Sequence, residues 1–125
     1  MSKGCPAEQD LLAIFPASLS DAFFEAIYGD VDEGAYDIVL CCQKVEKDKA
    51  FFAFELRKRE GKCLKCSLTY GLPAVFRKHP LLNIPDVAAK LATLLGWKKA
   101  HWELLPVEEI SDDLHLIPLE LTRQD

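Results

Sequence analysis

The sequence predicts an α+β fold built on a mainly antiparallel sheet, and three observations carry that prediction. Apolar residues recur at helical spacing in two separate stretches, 18–27 and 85–95. Between residues 36 and 70 the pattern changes to strand segments, one rich in residues that suit a pleated, buried surface over 36–42 and alternating ones over 50–58 and 64–70. The order of segments is helices, three strands, helices, two strands, which suits an antiparallel sheet covered by helices better than a doubly wound parallel one. A chain of 125 residues without a Gly/Ser-rich linker is expected to form a single domain over residues 1–125, with residues 1–6 flexible. Its 7 Phe, 3 Tyr and 2 Trp supply enough apolar area to fold without metals or disulfides.

The first element expected is a short helix over residues 7–15, where Leu11, Leu12, Ile14 and Phe15 make an apolar face before Pro16 stops it. Ser18 is an N-cap candidate for the next helix. Leu19, Ala22, Phe23, Ala26 and Ile27 form its stripe, and Gly29 offers a C-terminal stop. A polar turn over 30–34 leads into strand 36–42, charged hairpin residues follow over 44–49, and strand 50–58 places Phe52, Phe54 and Leu56 on one face.

Gly61 turns the chain into a third expected strand, 64–70, completing a three-stranded meander over about 36–70. Ile38, Leu40, Cys42, Phe52, Phe54, Leu56, Leu64, Cys66, Leu68 and Tyr70 are expected to face the core. Glu55, Arg57, Lys65, Ser67 and Thr69 mark a solvated reverse face. Pro73 opens a short helix through Phe76 and Arg77, and Pro80 keeps His79 out of helical geometry.

Val87, Ala88, Leu91, Leu94 and Leu95 stripe the helix that follows, with Gly96 past its end. Two further strands are expected at 101–105 and 114–121, separated by the acidic stretch of Glu108, Glu109, Asp112 and Asp113. Pro118 points to an edge or a bulge for the last strand.

Charge and composition narrow the classes of function. A net charge of -5 repels phosphate, so nucleic acid is not an expected partner. No apolar run reaches the length of a membrane span, and the N-terminal stretch lacks the features of an export signal. No membrane partner and a cytoplasmic location are therefore expected. Cys5 is read as an exposed thiol, since Gly4 is not placed for myristoylation.

Three groups of residues carry candidate chemistry. Cys63 and Cys66 form a CxxC pair able in principle to hold zinc or to cycle between thiol and disulfide. Yet no second pair completes a zinc site, residues three apart on a strand point to opposite faces, and no helix follows to lower a thiol pKa. Structural thiols are the favoured reading, with metal and redox roles left as alternatives. Arg77, Lys78 and His79 form a basic knot between two prolines, and Lys98, Lys99 and His101 form a second beside Trp97 and Trp102. Brought together, and with Tyr70, these would grip a carboxylate or phosphate. As isolated groups they are solvated helix ends, the favoured alternative. His115, flanked by Leu114 and Leu116, reads as a structural residue.

Asp30, Asp32 and Glu33 do not make a calcium loop, since neither Gly nor Glu stands at the required offset. No GxSxG elbow, HExxH motif or glycine-rich phosphate loop is present.

The stretches GKCLKCSLTYGLPAVFRKHPLLNIP (61–85), EGAYDI (33–38) and DLHLIPL (113–119) make residues 18–121 resemble a small family of uncharacterised bacterial proteins. Some members carry the label "pancreas/duodenum homeobox protein". The residues do not describe a homeodomain, which requires three helices and a basic recognition helix, whereas here the nearest run is WKKAHW in an acidic chain with strands. The resemblance implies a shared fold and carries no activity, cofactor or catalytic residue with it.

The function expected from these readings is a non-enzymatic binding or interaction domain, with no cofactor, no metal ligands and no catalytic residues. Its binding residues would be Tyr70, Arg77, Lys78 and His79, its partner a protein or a small anionic ligand, with a homodimer as one form, and its surface the short segment after Tyr70 or an exposed sheet edge. The alternatives are a ligand-binding protein or enzyme with a basic pocket around Tyr70, Arg77 and His79, and a zinc or redox domain on Cys63 and Cys66.

Overall fold

In a computed structural model the described residues are 5–16, 18–28, 36–61, 76–78 and 82–124. They show the α+β class: helix α1 (Glu8–Ile14), helix α2 (Ser18–Tyr28), strands β1 (Tyr36–Val45) and β2 (Lys49–Lys58), helix α3 (Ile84–Leu94), and strands β3 (Ala100–Leu104), β4 (Glu108–Ser111) and β5 (Leu114–Arg123). Residues 76–78 are also helical.

Every strand pairing among the described residues is antiparallel, in the order β1-β2-β5-β3, with β4 also on β5. β2 takes one flank of β5 along residues 114–122, so β3 and β4 share the other, β3 against 119–123 and β4 against 114–116. The third strand expected over 64–70 lies outside the described residues. The flank of β2 away from β1 is held by β5.

β5 is central, a correction to the edge or bulge expected from Pro118. Ile38 donates its backbone N–H to Ser20 Oγ at 2.8 Å, so it points away from β2. Carrying the two-residue period across the sheet turns the backbone groups of residues 114, 116, 118, 120 and 122 toward β3 and β4. Pro118 therefore lacks its N–H on the flank where the β3/β4 row breaks over 105–107. Its carbonyl accepts the Leu105 N–H at 3.0 Å. A proline is tolerated inside this sheet because the neighbouring row has no acceptor to miss there. β4, in the stretch read as an acidic separator, is the other addition: all four of its residues are exposed, and backbone pairing alone makes it a strand.

The helices pack on the face that carries Ile38, Leu40, Phe52, Phe54 and Leu56, all buried, with α1 and α2 against β1 and α3 against β3 and β5. Four aromatic rings bind the layers together. Phe54 lies 5.2 Å from Phe15 and 5.5 Å from Phe76 between ring centroids, and Phe76 lies 5.6 Å from Phe23. One chain of rings thus joins the end of α1, β2, residues 76–78 and α2, with Phe76 meeting Phe23 and Phe54 in the edge-on geometry that ring quadrupoles favour.

α3 buries Ile84, Val87, Ala88, Leu91 and Ala92. Gly96 follows it at φ +79°, and the Trp97 N–H closes on the Ala92 carbonyl at 2.9 Å, the glycine-dependent end of a Schellman-type turn.

The reverse face is less solvated than its charges predict. Ala53 is buried because it stands between Cys41 and Pro118 in register, and Leu116 is buried beside Glu55. At the rim of β1, Arg59 binds Asp37 at 2.9 Å and Asp21 at 2.7 Å, pinning α2 to the hairpin.

Candidate functional site

Among the described residues β1 is the end strand of the sheet, and two contacts guard its outer edge. At one, Ser20 on α2 satisfies the Ile38 backbone, accepting its N–H and donating to its carbonyl at 3.3 Å. At the other, Cys5 is joined to Cys42 by a disulfide, with Cα atoms 5.7 Å apart. This corrects the expectation that Cys5 is a free exposed thiol. Between the two contacts lies Leu40. By the strand period its N–H and C=O face outward with those of Ile38, and no described residue bonds them.

A groove of about 330 Å³ lies along this edge, lined by Pro6, Leu11, Leu12, Val39, Leu40 and Cys41, with the disulfide, Glu8 and Arg57 around it. Val39, Cys41 and Arg57 belong to one face of the sheet and Leu40 and Cys42 to the other, so the groove wraps the edge instead of lying on either face. Its far wall is the segment 5–7 and α1. That helix is placed by Leu11 and by Phe15 just past its end, both buried in the core. Ala7 gives no side-chain cap at its start. Leu12 is left largely exposed over the groove, at 43%.

Cys41 is a free thiol at the groove's margin. Burial, then the carboxylate of Glu55, pushes its pKa up to about 11 from the usual 9.0. Arg57 opposes this weakly, since its guanidinium is engaged by Glu55 at 2.6 Å. Near neutral pH the group is a thiol, which is a poor nucleophile.

The basic residues are used differently from the pattern expected of them. Arg77 Nη2 donates to the Leu104 carbonyl at 2.8 Å, so the guanidinium ties residues 76–78 to the end of β3. Lys78 is exposed. Tyr70, His79, Cys63 and Cys66 lie outside the described residues. In the second knot Lys98, Lys99 and His101 are exposed, but Trp97 is buried in the core and Trp102 packs against it, so the indoles are core residues and not an open platform. His115 is buried on β5 opposite Leu56. Among the described residues, no three His, Cys, Asp or Glu side chains gather where a metal ion would sit. A second, smaller groove of about 250 Å³ runs between α1 and α3 beside Ile14 and Leu94.

Sequence reasoning missed the β1 groove because Cys5 and Cys42 were read separately. Alternation puts Cys42 on the helix-covered face, but nothing in the sequence says that Cys5, three residues ahead of α1, will meet it. No family model, no curated protein and no solved structure matches this chain. No helix among the described residues is long and apolar enough to cross a membrane.

Proposed function

We propose that this chain is a non-enzymatic binding domain that takes an extended segment of a partner protein in the groove along the edge of β1. The observation that supports this reading is the outward pair of backbone groups at Leu40, set in an apolar groove between the Ser20 contact and the disulfide. An open donor and acceptor on the end strand of the described sheet fit main-chain pairing with another chain. Leu11 and Leu12 offer a place for one apolar side chain beside it. The Arg57 and Glu55 pair at the margin favours neither sign of charge, so a strongly anionic ligand is not preferred at this site.

In this reading a second copy of the chain is one partner, giving a homodimer, and neither nucleic acid nor membrane is involved. The place of action is the cytoplasm, where a disulfide is a transient state and not a permanent staple. The test is an immobilised array of octapeptides alternating apolar and polar residues, probed with oxidised protein. Binding by wild type that falls at least about tenfold in Leu12→Glu supports the groove, an exposed position chosen so that folding is unaffected. Binders insensitive to that substitution, or none at all, would refute it.

A further inference from the structure

We infer that the Cys5–Cys42 bond is a redox gate on the β1 groove, which is complete and able to bind when the bond is closed and loses its N-terminal wall when it is open. This rests on the binding reading above and adds its regulation. The wall consists of Cys5 and Pro6, ahead of α1, facing Val39, Leu40 and Cys42 across the groove. Segment 5–7 has no regular structure, and among the described residues its backbone hydrogen bonds run only into α1, the Ala7 carbonyl accepting the Asp10 and Leu11 N–H groups. Among the described residues, the disulfide is what attaches this segment to the sheet.

α1 itself is anchored independently, by Leu11 and Phe15 in the core. Opening the bond therefore frees the wall without unfolding the domain, as a local two-state element requires. Cys5 is exposed and accessible to a small disulfide. Cys5 and Cys42 would give up two protons and two electrons, one sulfur first forming a mixed disulfide that the other displaces, and the small disulfide leaves as two thiols. A dithiol reverses the reaction, reducing both cysteines and closing to its own disulfide. Cys41, next in sequence, projects from the opposite face of the sheet to Cys42 and so is turned away from the position Cys5 takes in the bond.

The experiment compares full-length protein treated with oxidised glutathione or with dithiothreitol. Cleavage at glutamate should release a peptide containing Cys5 linked to one containing Cys42 in the first sample alone. Amide exchange at Asp10 and Leu11, whose N–H groups bond the Ala7 carbonyl, should be slower in the oxidised protein by about tenfold or more, and octapeptide binding stronger by a similar factor. Cys5→Ser should behave as reduced in both conditions. A Cys63→Ser/Cys66→Ser variant should keep the response, which separates it from the CxxC pair.

Absence of the Cys5–Cys42 linkage after oxidation, a response that follows Cys63 and Cys66, or equal peptide binding in both states would overturn the gate, and the last of these leaves the binding reading standing. A redox-dependent change in exchange with no peptide bound in either state overturns the binding reading instead, and with it the gate as a control of binding.

Discussion

Replacing Cys5 with Ser removes one covalent link and almost nothing else, because the side chain is exposed and leaves no cavity. The bond spans 37 residues. Closing a loop of that length in the unfolded chain costs about 4 kcal/mol at 25 °C by chain entropy, which is what the disulfide contributes to stability if native geometry is unstrained. For a domain of 125 residues, the entropy of unfolding is about 260 cal/mol/K, so the loss corresponds to about 15 °C in Tm. Differential scanning calorimetry of oxidised wild type, reduced wild type and Cys5→Ser is the assay. Reduced wild type and Cys5→Ser should melt together, both well below the oxidised protein. A difference below about 3 °C, or one that persists in dithiothreitol, would refute the reasoning, since the entropic effect exists only while the bond is closed.

Phe54→Ala should cost about 3–5 kcal/mol by urea denaturation, because the ring is fully buried and touches Phe15 and Phe76. Ser20→Ala should cost about 1–3 kcal/mol in the same assay and speed exchange of the Ile38 amide, whose N–H would lose its acceptor at the sheet edge. Stability should fall as pH rises from 9.0 toward about 11, since the unfolded Cys41 thiol releases its proton at the lower value and the folded one at the higher. Between those values the unfolded state binds fewer protons, so alkali favours unfolding, and Cys41→Ala should flatten that part of the profile in chemical denaturation measured across pH.

Those parts of the fold that bury a periodic apolar stripe were legible. α3 and the alternating faces of β1 and β2 follow directly from spacing, because burial selects residue type at each position. β4 was hidden for the opposite reason. Its residues Glu108, Glu109, Ile110 and Ser111 are all exposed, so backbone pairing with β5 leaves no mark on composition.

The central place of β5 was masked by Pro118, whose usual meaning holds only when the missing N–H faces a continuous neighbour. Pairing of β2 with β5 joins positions such as Phe52 and Leu119 that no local pattern connects. At the site, Arg77 was a visible cation, but its bond to the Leu104 carbonyl is a tertiary fact. Cys5 looked inert because nothing in a short N-terminal stretch says which strand it will meet.

Amide-resolved titration of 15N-labelled, oxidised protein with the strongest octapeptide from the array tests the central claim most directly. Shifts centred on Val39, Leu40 and Cys41, with Leu11 and Leu12 across from them, are the predicted result. Shifts centred on Arg77, Lys78 and the end of β3 would contradict it and move recognition to the basic knot.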